Sequence, residues 1–352
     1  MISTEQLDKK IDSFPRVHLA FLPTPLHELK RFSAALGGPR IFIKRDDCTG
    51  LAFGGNKTRM FEFLLAKAQQ EGADAVIGGA GVQSNYCRQL TAACNVLGME
   101  THLVLRRVRG AKDNAIQGNL LLDLLAGAHV HIIDADADRQ RERMYALAGE
   151  LERSGKHPFV ARMAAADDLS LDTIAYVECF REVWEQCAVL GIEASHLYVS
   201  SYDTTQAGLE VGNAALGAPL QVRGIAPATW DSDSAELICH YANQAARALD
   251  IPCTLNAEGI FNTTAYAGEG YGIPTPESLE MLSLMARTEG IYLDPVYTSK
   301  AMAGIRDHIK TGQLKAADTV VFLHTGGTPA LFAYADTFDT EKLRANLDFN
   351  AW

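Results

Sequence analysis

A lysine follows two glycines and an asparagine in Leu51-Ala52-Phe53-Gly54-Gly55-Asn56-Lys57-Thr58-Arg59, and it is the group here best suited to carbonyl chemistry. The glycines permit backbone shapes that other residues resist and let a flat ligand come close. The stretch lies just before a helical pattern, and a helix N-terminus disfavours an added positive charge, so the Lys57 amine is made readier to lose its proton. An amine so placed is a candidate for an imine with an aldehyde. The plainer alternative is a glycine turn followed by an exposed lysine. The rest of the chain has to decide between them.

Three further polar loops bear on that decision. Gln83-Ser84-Asn85 opens a helical stretch. There Asn85 could donate to a ring hydroxyl or cap the helix, and Ser84 could cap it or carry a proton. Ser200-Ser201-Tyr202-Asp203-Thr204-Thr205 also precedes a helix, where free N–H groups and hydroxyls suit a phosphate, although the Asp203 charge opposes one. Tyr271, flanked by glycines in Gly268-Glu269-Gly270-Tyr271-Gly272, and Tyr297, in Asp294-Pro295-Val296-Tyr297-Thr298, are either packing groups or acid/base groups. His324 in His324-Thr325-Gly326-Gly327 is the histidine nearest these motifs, with a structural role expected. The ten histidines show no metal spacing, and neither a dinucleotide fingerprint nor a phosphate-binding Walker loop is present.

Alternating strands and helices must position these loops. Strands are expected at 40–44, 75–79, 101–105, 128–133, 157–161, 195–201, 222–226 and 319–323. Helices are expected at 60–70, 86–97, 118–125, 139–154, 171–185, from 206, at 232–249 and at 276–288. This is the pattern of parallel sheets flanked by helices, in which ligands bind beyond the carboxyl ends of the strands. The polar loops sit at such ends. The expected fold class is therefore α/β, with two interleaved lobes of parallel-rich open sheets: residues 1–58 and 170–352 as the large lobe and 59–169 as a small inserted one.

A net charge of −11 argues against a nucleic-acid surface, and the 47% apolar and 21% charged content is ordinary for a water-soluble chain. No apolar run is long enough for a bilayer, and Met1-Ile2-Ser3-Thr4-Glu5-Gln6 lacks signal-peptide character, so a cytoplasmic location is expected. The seven cysteines form no C-x-x-C pair or disulfide framework.

At these residues the chain resembles the pyridoxal-phosphate enzymes of the tryptophan-synthase-β fold type. Within them it is similar to the family of 1-aminocyclopropane-1-carboxylate deaminase and D-cysteine desulfhydrase. Ile43-Lys44-Arg45-Asp46-Asp47, the Lys57 and Asn85 stretches, Leu293 to Tyr297, Lys300-Ala301-Met302 and His324 to Gly327 carry the likeness, in family order. The resemblance implies pyridoxal 5'-phosphate as cofactor, joined to Lys57 as an imine. It implies that Asn85 contacts the cofactor's 3-hydroxyl, that Ser84 lies beside the substrate carboxylate or accepts a proton, and that Ser200 to Thr205 hold the phosphate. Tyr271 and Tyr297 match the deaminase's active-site tyrosines. Thr298 stands where the residue facing the pyridine nitrogen is glutamate in the deaminase and threonine in the desulfhydrase. Thr325 follows the desulfhydrase, where the deaminase has leucine. Met60 replaces a usual lysine and Tyr86 a common histidine.

A carboxylate would keep the ring nitrogen protonated and make the ring a deep electron sink, whereas a hydroxyl leaves it weaker. A weaker sink suffices when the β-carbon bears a good leaving group. The expected activity is α,β-elimination on a small amino acid, with D-cysteine giving pyruvate, ammonia and hydrogen sulfide as the specific expectation. Cyclopropane opening and a degenerate, non-catalytic binding protein are the alternatives. A homodimer is implied by the resemblance.

Overall fold

The computed structural model describes residues 1–161, 168–229, 233–339 and 343–344. Among the described residues, mostly short apolar runs form ten strands: β1 (Leu26–Glu28), β2 (Arg40–Arg45), β3 (Ala75–Gly81), β4 (Glu100–Arg106), β5 (His129–Ile133), β6 (Pro158–Val160), β7 (His196–Ser200), β8 (Gln221–Ile225), β9 (Phe261–Thr263) and β10 (Thr319–His324). They make two sheets. The larger has the order β1-β2-β10-β7-β8-β9, and the smaller β5-β4-β3-β6. Among the described residues β1 pairs antiparallel with β2, and the other strand pairs are parallel. The expected α/β class with parallel-rich sheets is the observed one.

Register explains why the loops gather. On the larger sheet His324 lies opposite Arg45, Leu323 opposite Val199, and Ser200 opposite Ile225. Asp46, Thr325, Ser201 and Ala226 therefore leave the sheet from one edge. On the smaller sheet Gly81 lies opposite Arg106, so Val82 to Asn85 and Arg107 leave from its corresponding edge.

The Lys57–Gln70 helix joins the two halves. Its Met60 and Phe63 are buried in the core beneath the larger sheet, with Phe180 and Leu209. Its Phe61, Leu65 and Ala68 are buried in the core of the smaller sheet, with Leu90 and Leu103. A helix apolar on two faces is held from both sides. Its first residue, Lys57, is fixed where the halves meet.

Most expected elements stand within two residues of their places. The helix expected from Gln206 begins at Thr204, so the last two residues of that polar loop are already helical. The helix expected over 171–185 runs Ser170–Leu190. Helices at Thr4–Ile11 and Thr298–Lys310 and the strand β9 add to the expected set. Ser232, where one helix was expected to begin, lies outside the described residues.

Candidate active site

Lys57, half-buried, lines a cleft of about 460 Å³ whose wall draws on both sheet edges. Volumes of this size suit a cofactor with a small substrate. Four consecutive residues before it, Ala52, Phe53, Gly54 and Gly55, have φ of 46°, 68°, 69° and 135°. Two are not glycine, and non-glycine residues in that region are strained, a condition that persists where surrounding structure enforces it. The enforcing contacts are visible. Asn56 N–H donates to Thr325 O at 3.0 Å, and Asn56 Nδ2 donates to Thr205 Oγ1 at 3.3 Å. The Gly326 backbone lies so close that a Cβ there would sit 2.7 Å from Gly55 Cα. Only glycine permits that approach, at a φ of 90°.

Beneath this loop lies a buried ion cluster. Arg59, fully buried, grips Asp46 through Nε at 2.9 Å and Nη2 at 3.0 Å, and Glu182 through Nη1 and Nη2 at 2.8 Å each. Lys44 donates to Glu182 Oε2 at 2.7 Å. The Tyr176 hydroxyl sits 2.9 Å from Asp46 Oδ2 and 3.3 Å from Asn56 O, tying the cluster to the residue before Lys57.

On the smaller sheet's edge, the Asn85–Leu97 helix is capped by Ser84, whose Oγ accepts from the N–H groups of Tyr86 and Cys87 at 3.2 Å each. Its hydroxyl proton stays available to the cleft. Asn85 is held by Asn119, whose Nδ2 donates to Asn85 Oδ1 at 2.9 Å. With its carbonyl end so engaged, Asn85 is left with Nδ2 as a donor. Burial pulls the Arg88 guanidinium down to about 10, opposed by Asp123, and it bridges Gly54 O at 2.7 Å and Asn119 Oδ1 at 3.0 Å. The Lys57 loop and the Asn85 loop are therefore tied through one side chain.

On the larger sheet's edge, Ser201 Oγ accepts from the N–H groups of Asp203 at 3.3 Å and Gln206 at 3.1 Å, folding the loop onto the start of the Thr204–Leu216 helix. Ser200 Oγ and Thr204 Oγ1 are buried without a hydrogen-bond partner among the described residues. Leaving a buried hydroxyl unpaired costs about 1–3 kcal/mol. Two such hydroxyls at a helix N-terminus, whose first N–H groups have no partner inside the helix, fit a phosphate. Asp203 also lines the cleft, so an acidic residue stands beside this cradle.

The tyrosines meet. Their rings pack edge to face with centroids 5.9 Å apart, and the Tyr271 and Tyr297 hydroxyls share a short hydrogen bond. Burial, then the Tyr271 phenol, push the Tyr297 hydroxyl well above its ordinary value, so it stays protonated near neutral pH. Lys300, fully buried, places the Tyr271 loop. Its Nζ donates to Ala267 O at 2.6 Å, Gly270 O at 3.1 Å and Pro227 O at 2.8 Å, using all three of its protons.

Of the residues singled out in the sequence, Lys57, Ser84, Asn85, Ser200, Ser201, Tyr202, Asp203, Thr205, Tyr271, Tyr297 and Thr325 share the cleft wall. Thr204 and Thr298 stand behind it. Thr298 starts a helix, and its Oγ1 donates to Asp294 Oδ1 at 2.6 Å while accepting from Asp294 N–H at 2.8 Å. Asp294 also takes N–H groups from Val296, Tyr297 and Thr298, so its carboxylate is saturated. The Thr325 hydroxyl, on the wall, makes no hydrogen bond among the described residues. His324 is structural, with Nδ1 accepting from Gly326 N–H at 3.3 Å and Nε2 3.2 Å from Tyr292 O. The sequence reading passed over Arg106, Arg107, Asn119 and the placing role of Lys300. Arg106 and Arg107 were findable, because they end a strand as Gly81 does.

The sequence profile of the family described as "Pyridoxal-phosphate dependent enzyme" matches residues 17–326. The chain is 37% identical over 334 residues to a 1-aminocyclopropane-1-carboxylate deaminase of Burkholderia lata, covering 93% of this chain and 98% of that one. It is 38% identical over 335 residues to the like-named protein of Burkholderia ambifaria, with the same coverage. The crystal structure of an ACC deaminase homologue superposes with a TM-score of 0.85 at 32% identity, covering 94% of this chain and 98% of that one. A threonine deaminase of the organism abbreviated T.th. shares the fold, with a TM-score of 0.60 at 19% identity over 93% of this chain and 98% of that one.

Proposed function

From a chain that belongs to the family of pyridoxal-phosphate dependent enzymes, we infer an enzyme that deaminates a small amino acid by α,β-elimination at the Lys57 cleft. One observation carries the reading. Lys57 lines the same cleft as Ser200, whose buried hydroxyl has no partner among the described residues, and as a hydrogen-bonded tyrosine pair. When bound, pyridoxal phosphate supplies an aldehyde for amines and a ring that accepts electrons from the α-carbon.

The chain's residues supply the rest. Ser200, Ser201, Thr205 and the N-terminus of the Thr204–Leu216 helix would hold the phosphate. Asn85 Nδ2 would donate to the ring oxygen, and Lys57 Nζ would hold the aldehyde until the substrate amine takes its place, and once released would take the α-proton. Ser84, with its proton free, binds the substrate carboxylate or relays that proton. Tyr297, kept neutral, or Tyr271, its hydrogen-bond partner, gives a proton to the departing β-group. The residue that the resemblance sets against the ring nitrogen is Thr298, a neutral hydroxyl that here donates to Asp294. A neutral partner supports loss of a β-leaving group over cyclopropane opening, and D-cysteine is the test substrate.

The names and identities of the Burkholderia relatives favour a second reading, opening of 1-aminocyclopropane-1-carboxylate. Incubating the loaded protein with each compound separates the two. Pyruvate and sulfide from D-cysteine support elimination. 2-Oxobutanoate from the cyclopropane, with no pyruvate from D-cysteine, overturns it for the second. A protein that stays colourless with added cofactor, or holds it and turns over neither compound, supports a degenerate binding protein.

The division into lobes at 58/59 and 169/170 remains our reading, supported by each sheet's strands falling on one side of those boundaries. A homodimer is proposed as well, and sedimentation of a single 38 kDa species would remove it. Among the described residues no helix is long and apolar enough to cross a membrane.

A further inference from the structure

The cleft contains a cation that the chemistry above does not use. Arg106 ends β4, opposite Gly81, and lines the cleft on the same side as Ser84 and Asn85. Its Nε donates to Gln140 Oε1 at 2.7 Å. Among the described residues no carboxylate pairs with Arg106, and its two terminal nitrogens make no hydrogen bond. Every other arginine on this edge is neutralised or engaged. Arg107 donates to Asp134 at 2.8 Å, and Arg109 pairs with Asp113 at 3.4 Å.

Gln140 itself is held rigidly. It is buried, and its Nε2 donates to Val104 O at 2.6 Å and Ala80 O at 3.0 Å, which leaves Oε1 for Arg106. A neutral amide therefore orients the guanidinium without cancelling its charge, where a carboxylate in that place would have done both. In a chain of net charge −11, an arginine aimed into a ligand cleft and left unpaired is a recognition group for an anion.

On the reading above in which Ser84 binds the substrate's own carboxylate, that group goes to the N-terminus of the Asn85–Leu97 helix. The Tyr271 ring reaches the same strand ends, because a Cβ on Gly81, opposite Arg106, would lie 3.7 Å from Tyr271 Cε1. We propose that Arg106 is a specificity-determining residue, and that the cleft prefers a small amino acid carrying a second, acidic group on its β-carbon. This rests on the amino-acid-deaminase reading and names its substrate class. Gln140 is then a positioning residue for that preference.

Aspartate and asparagine make the test, since they match in shape and differ by the charge on the β-substituent. Both enantiomers of each are titrated against the pyridoxal-phosphate-loaded protein, following the visible absorbance of the cofactor. Aspartate of one configuration is expected to bind about tenfold to a hundredfold more tightly than asparagine, the range for a hydrogen bond to a charged group. Arg106→Gln is expected to remove that ratio, and Gln140→Leu to reduce it while cofactor absorbance is retained. Equal binding of the two amino acids by the unaltered protein overturns the proposal. So does an Arg106→Gln protein that weakens both alike, which would make Arg106 the clamp for the α-carboxylate. If neither these amino acids nor alanine and cysteine disturb the absorbance of a loaded protein, the deaminase reading fails, and this proposal falls with it.

Discussion

Glu182→Gln tests whether the ion cluster under the Lys57 loop is as tightly coupled as its distances say. Burial alone would raise the Glu182 carboxyl. Arg59 first and Lys44 next overcome that and hold it down to about 2, against an ordinary 4.5. A carboxylate held from 4.5 down to about 2 contributes about 3.5 kcal/mol, since a tenfold change in proton affinity is worth about 1.4 kcal/mol. The sign follows from proton uptake. The folded chain releases this proton more readily than the unfolded one, so the contribution is present above pH 4.5 and is lost as pH falls from there through about 2. Glutamine keeps the shape and removes the charge, leaving Arg59 with Asp46 and a more distant Glu178 at 3.9 Å and Lys44 with the neutral Thr24 O and Gln186, a loss that in other buried pairs costs about 3–5 kcal/mol. Urea unfolding at fixed pyridoxal phosphate, at pH 7, 4 and 3, is the assay. The variant should be about 3.5 kcal/mol less stable at pH 7, with the gap closing toward pH 3. A gap under about 1 kcal/mol at pH 7, or one that does not change with pH, refutes the coupling.

Two other substitutions separate holding from chemistry. Lys300→Met strips three buried carbonyls of their donor and frees the Tyr271 loop. Turnover should fall about a hundredfold, the lower range for a lost general acid, with cofactor absorbance kept; a change within threefold would show that Lys300 does not place Tyr271. Ser200→Ala removes a buried hydroxyl that has no partner among the described residues. It should leave the cofactor-free protein as stable or slightly more so while weakening pyridoxal phosphate binding about tenfold, and equal affinity by fluorescence titration would take Ser200 out of the phosphate cradle.

Much of the architecture was legible because parallel strands buried on both faces read as aliphatic runs, as in Thr319 to Leu323 and Ala75 to Ile77. The helix Gly118–Leu125 lies where its pattern puts it. The helix Thr4–Ile11 carries a readable signal, the Ser3–Gln6 capping box, that the motif-centred reading passed over. Thr298–Lys310 was hidden because Asp294-Pro295 reads as a turn and Thr298 and Ser299 are weak helix formers. The three-residue β9 owes its state to pairing with β8, which no local pattern encodes.

In the site, strand-end logic gathered Lys57, Asn85, Ser200 and Thr325, since all four leave sheet edges or the helix between them. It did not separate Thr298 from the wall. Which way that hydroxyl turns is settled by Asp294, a buried carboxylate that saturates itself on the next turn of chain. Nor did it find the Arg106–Gln140 pair, whose members are far apart in the chain and meet only through the packing of the Ala137–Arg153 helix on the smaller sheet.

Borohydride reduction of the pyridoxal-phosphate-loaded protein, followed by peptide mapping, tests the central claim most directly. The account predicts one pyridoxyl group, on the peptide containing Lys57, and none in a Lys57→Ala protein. Label on Lys44, Lys300 or a surface lysine, or label unchanged in Lys57→Ala, would contradict it.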